Sequence, residues 1–166
     1  MTDYQPIPAA DFKALDLLAN IAQAIDADTD IRLWAQDNYG RGLLVFAGSD
    51  PEAPPDPETE YPMVELAAID DHDSATAEFH ARLIGVEIGV HDPEKTPVGY
   101  GGLQLQRGVL RLEQLCGLIF TAISAADLDG GYIDQVVLRR DLATVFPNFK
   151  AGMFLHINKA RWPYKV

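Results

Sequence analysis

The residues with most chemical capacity are crowded into one short stretch. Asp70-Asp71-His72-Asp73 places three carboxylates and an imidazole in succession, with Glu78 and His80 just beyond. Carboxylate oxygens and imidazole nitrogens suit divalent metals. A metal-dependent enzyme built on Asp70, Asp71, His72 and Asp73 is therefore one reading of the chain. The pattern is not that of a calcium loop, which takes ligands from alternate positions around a central glycine and ends on a glutamate. The contrasting reading is a solvated acidic turn between two strands. His80 and His91 stand eleven residues apart, which puts them on opposite faces of an unbroken strand.

Other chemistries find less. Gly99-Tyr100-Gly101-Gly102 precedes a helical pattern, and helix N-termini attract anions. Yet no Gly-Lys-Ser/Thr follows, and Gln104 stands where a dinucleotide loop needs its third glycine. The segment reads as a lead-in to the helix. The three serines, Ser49, Ser74 and Ser124, lack a nucleophile-elbow context. Cys116 is the only cysteine, so no intramolecular disulfide and no cysteine-based zinc site can form. It lies in the apolar run Leu115-Cys116-Gly117-Leu118 and reads as a buried small hydrophobe. His156 shares a strand face with Phe154 and reads as a partly buried, hydrogen-bonded imidazole. No catalytic residue and no cofactor is assigned, and the chain is not expected to be an enzyme.

The elements that must position these groups follow from periodicity. Apolar residues at spacings of three and four from about Ala10 to Ala27 predict an amphipathic helix, with Phe12, Leu15, Ala19 and Ala22 as its stripe and Leu18, Ile21 and Ile25 widening it. Ile31–Ala35 and Leu43–Ala47 flank the turn-forming run Asn38–Gly42 and predict a two-stranded hairpin. Met63–Ile69 reads as a strand. Phe79–Val90 is the clearest strand, with Ile84, Val86, Ile88 and Val90 on one face. Leu105, Val109, Leu112, Cys116, Ile119 and Ile123 then mark a long helix over Leu103–Ala126, thickened by Leu115, Leu118 and Phe120. At 1.5 Å per residue it would span about 36 Å and must cross the sheet as the central core element. Two closing strands follow, over Tyr132–Leu142 and Lys150–Ala160, the second alternating Met153, Leu155 and Ile157 against Phe154, His156 and Asn158.

Gly48–Pro62 breaks this texture. Five prolines stand among Asp50, Glu52, Asp56, Glu58 and Glu60. Proline removes backbone donors and the charges oppose burial, so the segment is read as a long exposed loop. Loops of this length are often functional or disordered. It is the candidate partner-binding element, together with Trp162, an aromatic near the end of the chain of the kind enriched at interfaces. Trp34 is open to both core and interface readings.

The 166 residues are expected to form one α+β domain: a two-layer sandwich, mostly antiparallel, with the long helix and the N-terminal amphipathic helix on one face. The formal charge of −12 repels nucleic acid and anionic lipid, so neither is an expected partner. No run of about 18 apolar residues predicts a membrane helix. No signal peptide opens the sequence, and residence in the cytoplasm is expected.

The order of these elements resembles the tail terminator proteins of long-tailed bacteriophages and the related minor tail or tail-completion proteins. The residues that carry the resemblance are the helix Phe12–Ile25, the strands Met63–Ile69 and Phe79–Val90, the cross-helix Leu103–Ala126, and the closing segment Val145-Phe146-Pro147-Asn148-Phe149-Lys150-Ala151-Gly152-Met153-Phe154-Leu155-His156-Ile157. It spans nearly the whole chain, in topology and texture rather than in a fixed motif. The Leu43–Ala47 strand and the Gly48–Pro62 loop depart from the pattern. The resemblance implies a structural virion protein, located in the tail and present in the host cytoplasm during assembly. It implies a ring, typically of six subunits, that caps the tail tube and meets the head connector. The implied partners are further copies of the chain, the tail tube protein and head–tail connector proteins. The alternative is a small acidic ligand-binding or regulatory domain.

Overall fold

The computed structural model describes residues 12–48, 50–73, 79–140 and 145–160. The elements run α1 (Ala14–Ala27), α2 (Thr29–Tyr39), β1 (Leu44–Ala47), α3 (Pro57–Glu60), β2 (Met63–His72), β3 (Phe79–His91), β4 (Val98–Tyr100), β5 (Leu103–Leu105), α4 (Arg107–Ser124), β6 (Tyr132–Arg139) and β7 (Asn148–Ala160). Five strands form a mixed sheet in the order β1-β2-β3-β7-β6. Only the β1–β2 pair is parallel. α1 and α4 pack against one face of the sheet, and α2 packs on α4. The expected α+β two-layer arrangement is what the chain adopts.

The core sits between that helix layer and the inward face of the sheet. Ile84, Val86, Ile88 and Val90 of β3 are buried, as are Phe149, Ala151, Met153, Leu155 and Ile157 of β7. Both sets fall on alternate residues, as a pleated strand requires. α4 answers with Leu112, Leu115, Cys116, Ile119, Ala122 and Ile123. α1 contributes Leu17, Leu18, Ile21 and Ile25.

Several expectations are corrected. Ile31–Ala35 is helical, not the first strand of a hairpin. Asp28 caps the helix by accepting from the Ile31 N–H at 2.9 Å, Ile31 and Ala35 bury at helical spacing, and Gly40 ends it at φ 65. β1 then pairs with β2 in parallel. A parallel neighbour needs a long crossover, and the segment from Gly48 to Pro62 supplies it. The stripe of α1 is rotated from the expected one: Leu15 is 74% exposed while Leu17 is fully buried. Leu17, Leu18, Ile21 and Ile25 face inward together, while Leu15 and Ala19 are exposed. Phe12 precedes the helix yet is buried.

β2 runs on through Asp70–His72 rather than breaking there. α4 begins at Arg107, so its length is about 27 Å. The residues before it form a separate hairpin, β4–β5, turned by Gly101 and Gly102 at φ 54 and 85. Two consecutive positive φ values make the tight turn that suits antiparallel strands, and glycine adopts them at no steric cost.

Candidate interaction surface

The charged clusters are largely paired within the chain, although Arg111 Nε and the Tyr39 hydroxyl are buried without a hydrogen-bond partner among the described residues. The bulge between Ala68 and Asp70 brings Asp70 opposite Leu83, Asp71 opposite Arg82 and His72 opposite Ala81. Alternation therefore divides the acidic run between the two faces. Asp71 and Asp73 both meet Arg82, at 3.3 and 2.7 Å. Asp73 Oδ1 also lies 2.8 Å from His80 Nδ1. Arg82 is itself buried; its Nε donates to the Phe12 carbonyl at 2.9 Å, and its guanidinium stacks over the Phe12 ring. Burial works against ionisation of Asp73, but the bonds and charges of Arg82 and His80 outweigh it and hold its carboxyl below the usual range. Among the described residues, no three His, Cys, Asp or Glu side chains converge as a metal site. The guanidinium occupies the place a cation would take.

A second cluster lies where β3 ends. Asp92 is fully buried. It accepts from Arg107 Nε and Nη2, both at 2.8 Å, and pairs with Arg111 Nη1 at 3.0 Å. Its own N–H donates to the Pro147 carbonyl at 2.9 Å. Arg107 and Arg111 stand one turn apart on α4, so a single carboxylate fastens the first turns of the helix to the loop after β3. Desolvation opposes the charge on Asp92, yet the Arg107 hydrogen bond, the Glu94 N–H and both guanidiniums hold its carboxyl below the usual range. Arg111 also stacks 5.1 Å above the Tyr39 ring. Burial pushes the Tyr39 phenol up to about 12. It also pushes the Cys116 thiol up to about 12, which leaves no thiolate for nucleophilic work.

The acidic loop is more built than its composition predicts. Asp50, Glu52, Asp56, Glu58 and Glu60 are all exposed. Asp56 nevertheless caps the single turn α3: it accepts from the Glu58 N–H at 3.0 Å and the Thr59 hydroxyl at 2.9 Å, and its N–H donates to Glu60 Oε2 at 2.6 Å. The first of these bonds is the main reason its carboxyl sits below the usual range. Arg41 donates to the Glu58 and Tyr61 carbonyls at 2.9 and 2.7 Å. Tyr61 is buried over Gly89, where an added Cβ would come within 2.8 Å of its ring. The loop thus ends in a clamp and an aromatic anchor. Trp162 lies outside the described residues. Trp34 is half-buried, stacks at 5.7 Å on Tyr39 and donates to Gln114 Oε1 at 3.2 Å.

A further exposed surface lies along the flank where α4 passes the edge strand β6. β6 has β7 on one side and no described strand on the other. A groove of about 510 Å³ runs between Phe120, Ser124, Ala126 and Leu128 on one side and Tyr132–Val136 on the other. A second, of about 300 Å³, continues it past Gly117, Cys116, Leu138 and Met153. The two share Phe120 and Val136 and form one channel. Arg140 closes its far end by donating to Glu113, with Nη2 to Oε2 at 3.0 Å. Phe120 and Tyr132 in its walls are 43 and 42% exposed. The open sheet face carries a smaller hollow of about 190 Å³ where Ile69 crosses Gly85 beside Phe154. No described helix is long and apolar enough to cross a membrane.

The flank was hidden in the sequence. Phe120 adjoins the buried Ile119 and reads as part of the α4 stripe, but one residue is a 100° step around a helix, enough to carry it into the groove wall.

No family model and no curated protein matches the chain. Among solved structures, it is similar to a chain from the virion of a native gene transfer agent particle, at 13% identity and a TM-score of 0.49, over 89% of this chain and 95% of that one. At that score and identity the likeness carries no argument about function.

Proposed function

We propose that the chain is a structural virion protein of the phage-tail type, acting as a tail-terminator-like subunit that caps the tail tube and meets the head connector. The observation that carries this reading is the α4–β6 flank: a groove of mixed apolar and polar lining beside a sheet edge that no described strand covers, on a chain whose charged clusters are largely paired internally. Such a surface suits protein contacts. Support also comes from the order of elements, with α1 first, α4 across the sheet and the β6–β7 pair closing it, as the tail-terminator resemblance implies. Catalysis is not part of the reading, because Asp71, Asp73 and Asp92 are each engaged by arginine.

The test is a capping assay. Purified chain is added to tail tubes growing from their subunit, and tube lengths are measured by electron microscopy. A terminator arrests growth at one end and is found there. Unchanged lengths with no end-bound chain would end the reading. Deleting Asp50–Glu60 is expected to leave the fold intact and lower tube binding. Unchanged binding would remove the acidic loop from the interface without touching the rest.

A further inference from the structure

The α4–β6 groove opens where β7 ends. Gly131 lines the 510 Å³ part of it, and a Cβ there would stand 3.1 Å from the Asn158 carbonyl oxygen. Tyr132, the next lining residue, is paired with Asn158 in the sheet. Lys159 Nζ reaches Asp129, in the turn just before the lining, at 3.1 Å. β7 ends at Ala160, and the sequence continues as Arg161-Trp162-Pro163-Tyr164-Lys165-Val166. Trp162 is thus four residues beyond the Asn158 that touches the groove. Four extended residues span about 13 Å, as far as Tyr132 to Val136 along β6. The groove lies within that reach.

Charge and chemistry match as well. Residues 161–166 carry Arg161 and Lys165 and no acidic side chain. In the groove lining Glu113 is taken by Arg140, which leaves Asp134 as the net charge. Asp127 and Asp129 alternate with the lining residues Ala126 and Leu128 at the mouth. Exposed ion pairs contribute little, so the anchor is the indole of Trp162. An indole buries a large apolar area and still needs an acceptor for its N–H. Phe120 and Tyr132 offer the rings, and Asp134 and Gln135 the acceptors.

We propose that residues 161–166 are a strap for the α4–β6 groove of their own chain, with Trp162 seated between Phe120 and Tyr132, and that a partner must displace the strap to bind there. A tethered segment meets its site at an effective concentration of about millimolar. The strap therefore sets a threshold, and only a partner that binds the groove well enough to overcome it opens the surface. The seating stands apart from the terminator reading; the effect on tail tubes rests on that reading.

Tryptophan fluorescence of the full chain tests the seating. The spectrum of W162F is subtracted from that of wild type, which isolates Trp162 from Trp34, and circular dichroism with urea midpoints checks that every variant folds. A seated indole emits to the blue of free tryptophan and is several-fold less open to quenching by acrylamide. F120S, measured against F120S/W162F, should shift the Trp162 emission to the red and raise its quenching, because one wall of the seat is gone. Asp134→Asn should do the same to a smaller degree. Solvent-like emission from Trp162 in wild type overturns the inference. So does a shielded Trp162 that F120S leaves unchanged, since it then sits elsewhere. Tube binding is the second readout. With the strap seated about nine-tenths of the time, W162S should bind tubes about tenfold more tightly than wild type. Equal binding overturns the masking, and weaker binding overturns it by making Trp162 itself a tube contact. If neither chain binds tubes, the terminator reading fails and the fluorescence result alone decides the strap.

Discussion

The two ends of α4 solve opposite problems. At its start, Arg107 and Arg111 converge on buried Asp92, and Gly108 lets the Phe149 ring lie directly on the helix backbone. There the charged groups fasten the helix in place, with Arg111 Nε buried and without a hydrogen-bond partner among the described residues. Toward its end, Gly117 has no atom from beyond its own stretch of helix backbone within 4 Å of where a Cβ would stand, and Phe120 is partly exposed. Two glycines in one helix thus mean different things: one is required by a packed ring, the other leaves the wall of a channel low. A helix that is fixed at one end and open at the other can hold a docking surface in place without rearranging.

The largest expected effect is at the fixed end. Asp92→Ala strands two guanidiniums beside buried surface, and breaking a buried pair costs about 3–5 kcal/mol. Arg107 is 38% exposed, which draws the expected loss toward the lower part of that range. Urea denaturation checks it. A loss under about 1 kcal/mol, the range of exposed ion pairs, would mean that the network contributes little. Gly108→Ala should follow, at about 1–3 kcal/mol, the usual range for overpacking a filled site. Its methyl would overlap the Phe149 ring, and Phe149 is buried with little room to turn.

Acid should weaken the same end. The folded-state pKa of Asp92 lies below its ordinary value of 3.8, and Asp73 is shifted the same way. The unfolded chain therefore binds protons more readily, so stability is fully present above 3.8 and is lost as pH falls through the folded values. Urea midpoints measured down this range should fall more steeply for wild type than for Asp92→Asn. Parallel curves would show that Asp92 has no part in the acid response.

Legibility in the sequence followed how local each cause is. β3 was plain because alternate branched residues need no distant information. The centre of α4 was plain for the same reason at a different period. α2 was missed because Ile31-Arg32-Leu33 also fits alternation over so short a run. Its deciding signals were Asp28 as cap and the Ile31–Ala35 spacing. The parallel β1–β2 pairing was not legible, since adjacency in a sheet is settled by the whole layer rather than by the connecting segment. Among the charged groups, the Asp70–Asp73 run drew attention through proximity in sequence. Asp92, Arg107 and Arg111 meet only in space, and the Arg107–Arg111 spacing of one helical turn is the one local hint of a shared anion. In the acidic segment the five carboxylates are exposed while Tyr61 and Pro62 are buried, and neither the Asp56 cap nor the Tyr61 anchor is legible among its prolines.

The smallest effect sharpens the comparison most. Gly117→Ala replaces a helical glycine at a site with free space around it. Helix propensity then predicts a gain of about 0.5–1 kcal/mol, opposite in sign to Gly108→Ala. The same methyl stands beside Cys116 and Phe120 in the groove lining, so it narrows the surface proposed for protein contacts. A more stable chain that binds tail tubes less well would separate the two roles of α4 within one substitution. Should Gly117→Ala destabilise the chain instead, that stretch of helix is packed more tightly than its open surroundings imply, and the contrast between the two glycines collapses.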